Sequence, residues 1–473
     1  TSVLLGACTQ ETKKTDEAAP LIKRTEVKSE NGVLTPEVLY SMARVSDAQV
    51  SPDGSKVLYG VTFISVEQNK GNRELFVVNA DGSDKKQITE TPQSEQNAVW
   101  IKGGKEIAFL SSESGSSQIW VMNADGSNRR QLSKLENGIN AFAFSPDESK
   151  VLYIQDIKFG QRTVDLYADL PKATGRVVDD LLYKHWDEWV ETVPHPFVAS
   201  VTESGLTDMA DIMEGEPFEC PMKPNSGIED LAWSPDGKLI AYASRKKTGK
   251  AYALSTNSDI YIYDLASKNT RNLTEGMMGY DIMPQFSPDG KSIAWVSQER
   301  DGYESDKKRL FVANLQTGEK QDLTQSFDYN ADAIQWLPDG KSLYMIACKE
   351  AVTHIWQVGV ADKQIRQITN GQYDYVSMHS VGNTMAAIRQ SQVNPSEVFA
   401  VNTQSGEATE ISFENKAILD QLNMPKSESR WIKTTDNKQM LTWVVYPPHF
   451  DPAKKYPAIL YCQGGPQSTV SQF

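Results

Sequence analysis

Metal-binding residues are scarce: four Cys and five His in 473 residues, with no CxxC spacing and no His near Cys220, Cys348 or Cys462. That argues against a zinc site, and no metal or cofactor is expected. Positive charge is also short. Lys and Arg number 48 against 62 Asp and Glu, a net charge of −14. This disfavours a nucleic-acid or anionic-membrane surface and is compatible with a cationic or neutral partner. No apolar run reaches 18 residues, so no membrane-spanning helix is expected. Hydrophobic residues are not lacking: 39% of the chain, with 10 Trp and 18 Tyr, is ample for a packed core.

The length alone suggests about three domains, but a repeat overrides that prior. Ser234-Pro235-Asp236-Gly237 recurs as Ser287-Pro288-Asp289-Gly290 and Leu337-Pro338-Asp339-Gly340, at spacings of 53 and 50. Earlier copies are Ser51-Pro52-Asp53-Gly54 and Ser145-Pro146-Asp147-Glu148, and worn ones surround Trp100 and His379. Proline presets φ, Asp bonds its own backbone and Gly accepts φ > 0, so each copy is a hairpin turn between β-rich runs. A companion strand follows each turn, such as Ile260-Tyr261-Ile262-Tyr263, and then a short polar strand ending Leu/Ile-Thr/Ser, as at Leu273-Thr274. Four antiparallel strands per period of about 50 make a β-propeller blade. The expected fold is all-β: a seven-bladed propeller over residues 33–413. An eighth blade could be hidden in the long gap between Ser145 and Ser234.

That gap reads instead as an insertion over residues 158–193 in the third blade. Val178, Leu181, Leu182, Trp186 and Trp189 have helical spacing, and Asp187 and Glu188 lie between the two tryptophans. A Leu34-to-Met42 helix is expected near the start, with Thr35 as N-cap and Pro36 at its first position. After Ser412 the repeat ends. Residues 414–430 read as a linker, Trp431–Lys433 and Met440–Tyr446 as paired strands, and Tyr456–Cys462 as a short buried strand before Gly464-Gly465. At the other end, Val3-Leu4-Leu5-Gly6-Ala7-Cys8 resembles the last part of a bacterial lipoprotein signal. The resemblance implies lipidation at Cys8, a polar tether over residues 9–32, and a periplasmic or membrane-anchored lipoprotein of a Gram-negative bacterium.

A propeller followed by Lys455-Tyr456-Pro457-Ala458-Ile459-Leu460-Tyr461-Cys462-Gln463-Gly464-Gly465-Pro466 resembles the prolyl oligopeptidase family of serine peptidases. Tyr183-Lys184-His185-Trp186-Asp187-Glu188-Trp189 and the Leu441-to-Pro466 segment are similar to its dipeptidyl-peptidase V branch. The resemblance implies that residues 431–473 begin an α/β-hydrolase domain with a Ser-Asp-His triad. It also implies that the Gly465 N–H is an oxyanion donor, and that acidic propeller side chains, here Asp187 and Glu188, hold the substrate's free ammonium. Relatives carry His where Gln463 stands. No G-x-S-x-G elbow occurs in residues 1–473, so the triad is expected after Phe473 and these residues alone should be inactive. Peptide substrates are implied, with a homodimer left open.

Two other functions compete. A binding-only propeller resembling periplasmic TolB uses the same turns, but needs no Gly-Gly-Pro strand after its last blade. An acylaminoacyl peptidase or oligopeptidase of the same family differs only in substrate.

Overall fold

The computed structural model describes residues 20–175, 177, 190–224, 226–461 and 469–472. Helix α1 (Pro36–Ser41) begins as its sequence predicts: Thr35 Oγ1 accepts the Val38 N–H at 3.4 Å, and Pro36 occupies the first turn. Everything after it is predominantly β. The first sheet holds β1 (Arg44–Val50), β2 (Lys56–Ser65), β3 (Lys70–Asn79) and β4 (Lys86–Gln87). The second holds β5 (Gln96–Ile101), β6 (Glu106–Ser111), β7 (Gln118–Asn123) and β8 (Arg130–Gln131). The third has β9 (Ala141–Phe144) and β10 (Lys150–Lys158), then, beyond the short α2 (Thr163–Leu166), β11 (Thr192–Thr202) and β12 (Gly205–Asp211). The fourth contains β13 (Leu231–Trp233), β14 (Leu239–Ser244), β15 (Asp259–Asp264) and β16 (Thr270–Asn272), with α3 (Gly249–Leu254) between the middle two. The fifth contains β17 (Asp281–Phe286), β18 (Ser292–Ser297), β19 (Arg309–Asn314) and β20 (Lys320–Asp322).

The next eight strands form one sheet. They are β21 (Asp332–Trp336), β22 (Ser342–Lys349), β23 (Val352–Gly359), β24 (Ile365–Gln367), β25 (Asp374–Val381), β26 (Thr384–Ser391), β27 (Asn394–Val401) and β28 (Ala408–Glu410). Each half is an antiparallel four-strand unit, and a single parallel pair, Thr353↔Asp374, joins them.

Two hydrogen-bond devices explain why the motif repeats. In the turns, the serine hydroxyl ties Asp to the far strand: Ser234 Oγ donates to Asp236 at 2.7 Å and accepts the Leu239 N–H at 2.9 Å. Ser287 does the same with Asp289 and Ser292. The glycines are left-handed, with φ +67° at Gly237, where a side chain would be strained. Where Leu337 replaces serine the hydroxyl bonds are lost, while Asp339 still accepts the Lys341 N–H and the backbone bonds Leu337 N–Ser342 O and Gly340 N–Leu337 O remain. The second device explains the Leu/Ile-Thr/Ser endings. The hydroxyls of Thr89, Ser133, Thr274, Thr324, Thr369 and Ser412 each accept a third-strand N–H from 14 residues earlier. These side chains are buried, and each satisfies a donor that would otherwise be orphaned.

The sheets pack face to face around a centre lined by their first strands. Fully buried Trp295 stacks on Phe311 at 5.4 Å in the core of the fourth to sixth sheets. Indole N–H groups staple neighbouring first strands: Trp100 to Gln49 O, Trp233 to Ala143 O, and Trp336 to Gln285 O, at 3.1–3.2 Å. Each sheet is built from consecutive strands, so no strand is shared across the seam between β25–β28 and β1. Side chains close the seam instead. Asn415 exchanges two hydrogen bonds with the Ala43 backbone, at 2.8 and 3.1 Å. Glu414 takes Tyr59 at 2.9 Å, Lys85 at 2.8 Å and Arg24, and Thr384 Oγ1 donates to Gly54 O.

The stretch after the last sheet departs from expectation. Residues 414–430 are not a bare linker: α4 (Lys416–Leu419) forms, and β29 (Lys426–Lys433) starts five residues before Trp431 to pair with β30 (Gln439–Tyr446). The run at Tyr456–Tyr461 is neither strand nor buried, with Ile459 96% exposed. A strand needs a hydrogen-bonding neighbour, and none of the described residues supplies one.

Candidate functional site

In a four-stranded meander, the first and third turns lie at one rim, and the second loop and the crossing to the next sheet at the other. The Ser-Pro-Asp-Gly turns therefore occupy one rim. The β10–β11 connection, α1 and α4 share the opposite one, where Val38 and Met42 pack on Ile418. The β10–β11 ladder runs from Lys150↔Ser200 to Lys158↔Thr192, carrying its connection out from this rim. The connection starts with an ordered knot: Asp165 accepts the Arg162 N–H at 2.8 Å and pairs with Lys158 at 2.7 Å. The Lys158 hydrogen bond is the main reason the Asp165 carboxyl lies far below the ordinary range. Asp187 and Glu188, predicted as anchors, lie outside the described residues, as do Gly465 and Cys8.

The described chain does contain a cavity of about 940 Å³ at the centre of the ring. First strands wall it on several sides, with Trp100, Phe142 and Phe144 among the apolar surfaces and Asp47, Arg73, Glu229 and His379 among the polar ones. Arg73 reaches it by an unusual route. Its guanidinium lies where a Cβ on Gly60 would be, crossing β2 to pair with Asp47 at 2.7 Å and to donate to Ser46 Oγ and Glu95 O. Glycine within a strand marks such a close approach. That signal at Gly60 was readable, but the sequence reading missed it.

The described histidines at the sheets serve structure. His379 Nδ1 accepts the Val50 N–H at 3.0 Å, and burial pushes its pKa down to about 4, so the ring is neutral. His195 pairs with Asp211 at 2.9 Å and His354 with Thr369 at 3.2 Å. Two buried acids stand out at the starts of the fourth and fifth sheets. Asp230 accepts the Met283 N–H, and burial raises its pKa to about 6; Asp281 accepts the Trp295 indole, and burial raises its pKa to about 7. Among the described residues, no group of three or more His, Cys, Asp or Glu is placed to hold a metal ion. The arrangement presents both apolar surface and hydrogen-bonding groups to whatever enters the cavity.

This is a β-propeller with a central cavity of mixed apolar and polar lining. The family described as the TolB beta propeller domain matches residues 38–172. Dipeptidyl-peptidase 5 of Porphyromonas gingivalis is 60% identical over 440 residues, covering 93% of this chain and 64% of that protein. The chain thus spans just under two thirds of that relative's length. The resemblance to the dipeptidyl-peptidase V type of the prolyl oligopeptidase family is borne out. Among solved structures, the acylaminoacyl peptidase of Pyrococcus horikoshii aligns over 89% of this chain and 60% of its own, with TM-score 0.66 at 17% identity. The β-propeller domain of the Trilobed protease from Pyrococcus furiosus aligns over 79% of this chain and 99% of its own, at TM-score 0.53 and 16% identity. At such identities these two establish the fold alone.

Proposed function

We propose that this chain is the propeller part of a serine exopeptidase that releases dipeptides from the free N-terminus of peptides. The observation that carries the reading is the 60% identity to a dipeptidyl-peptidase 5 across 93% of the chain. The two halves of the eight-stranded sheet count as two blades, making seven. The cavity they surround admits substrate to a hydrolase domain that begins near residue 431 and carries its triad after Phe473. Asp187 and Glu188 anchor the substrate ammonium, and the Gly465 N–H helps to hold the oxyanion. The Cys8 thiol carries the lipid of a periplasmic, membrane-anchored protein.

The experiment uses the full-length gene product and a dipeptidyl fluorogenic substrate, with its terminus free or acetylated. A blocked terminus leaves the anchoring carboxylate unpaired, so kcat/KM should fall at least tenfold, about 1.4 kcal/mol. Asp187→Asn with Glu188→Gln should erase that preference, and a serine-directed fluorophosphonate should label the enzyme. Faster cleavage of the acetylated substrate would instead identify an acylaminoacyl peptidase. Absence of both labelling and hydrolysis would leave the binding-only propeller.

A further inference from the structure

Chain from beyond the last sheet returns to one place on the ring, the junction where Thr353 pairs with Asp374. Asp374 is buried, 4% exposed, and its two carboxylate oxygens serve different segments. Oδ1 accepts the Thr353 N–H at 2.9 Å, and Oδ2 accepts the Ser471 hydroxyl at 2.8 Å. Next to it, Gln372 Nε2 donates to Ser427 Oγ at 2.8 Å and to Gln472 Oε1 at 3.3 Å. The Thr469 side chain reaches the Cys348 thiol. Gln472 is itself 5% exposed. Three residues of 469–472 and one of β29 are therefore seated at a point where two four-strand units share a backbone pair.

We propose that Asp374 is a positioning residue: it locks the segment ending at Gln472 to the propeller and so sets where the peptidase machinery stands over the cavity. The inference rests on the peptidase reading above. Its physical basis is that one buried carboxylate holds both the blade junction and Ser471, so the two cannot move apart without leaving a buried acceptor unpaired. Ser471 lies six positions after Gly465 in the sequence. A loss of registry there would reach the reacting groups, and misplacement of catalytic groups by about 1 Å costs on the order of 100-fold in rate.

The test is made in the full-length gene product with Ser471→Ala, Asp374→Asn and Asp374→Ala. Ser471→Ala leaves the Thr353 contact in place and guards against a folding failure in Asp374→Ala. Ser471→Ala should lower kcat about tenfold or more with KM within roughly twofold. Asp374→Asn keeps one acceptor, for the Thr353 N–H, and its NH2 can donate to the Ser471 hydroxyl oxygen, so it should restore most of what Asp374→Ala loses. Hydrogen exchange of peptides covering 469–472 should quicken in Ser471→Ala while the β22–β23 peptides stay protected. Unchanged kcat with unchanged exchange overturns the proposal. So does a loss of thermal stability in Ser471→Ala with kcat intact. If the wild-type protein hydrolyses no peptide, the peptidase reading fails, and the exchange result alone decides whether Asp374 holds the segment.

Discussion

Single side chains carry more of this fold than their types advertise. Gly60 is one. Adding a methyl there meets the Arg73 guanidinium at 1.9 Å, and that group is committed to Asp47, Ser46 and Glu95 O. Gly60→Ala should cost about 2 kcal/mol in urea denaturation, since the displaced cation leaves part of its bonding in a largely buried position. Asp281 is another. Burial raises its pKa from 3.8 to about 7, so the folded protein retains a proton that the unfolded chain gives up above pH ~4. Its contribution to stability therefore falls as pH rises through that window and levels off above about 7. His379, lowered to about 4, acts oppositely below pH ~6.5, so the clean measurement is a difference. Asp281→Asn keeps an acceptor for the Trp295 indole; its Tm relative to wild type should climb from pH 4 to 7 and then flatten. The turn motif was readable at this scale for Pro, Asp and Gly. The serine hydroxyl was not, because its work is to reach across to the next strand, a contact that a linear spacing does not display.

At the scale of the strand, the repeated hydroxyls are the clearest lever. Thr274→Val removes an acceptor from the buried Ile260 N–H while keeping shape, and should destabilise by about 1–3 kcal/mol. A loss below 0.3 kcal/mol in chemical denaturation would show that the bond is dispensable. The strand alternation, the N-capped α1 and the β29–β30 hairpin were legible from periodicity and punctuation, since those depend on neighbours close in sequence. Tyr456–Tyr461 was misread for the converse reason. Its apolar residues resemble a buried strand, but burial is a property of whatever lies alongside, and Ile459 and Leu460 are almost fully exposed. The candidate anchors Asp187 and Glu188 were singled out by their type, their tryptophan neighbours and the family resemblance. The cavity residues Asp47 and Arg73 gave no such signal, because they meet only through the sheet's three-dimensional path.

For the whole molecule, the period of about 50 was enough to foresee a ring of sheets, but not how that ring is closed. The seam depends on Glu414 and Asn415, whose bonds to Tyr59, Lys85, Arg24 and Ala43 span more than 300 positions of sequence. Asn415→Ala should lower Tm and split the calorimetric transition, the first and last sheets loosening before the middle ones. A single undivided transition at the wild-type temperature would show that packing alone closes the ring.

The same seam decides how the protein would bear a load. The incoming and outgoing segments run side by side, Asn423 N–H bonding to Gly32 O at 2.9 Å, so tension applied at residues 24 and 423 falls first on this small group of side chains. The sheets behind it would carry no strain until those contacts had failed. In a force-extension experiment the ring should part at its join in one early, low-force step, and only later would the strands unravel.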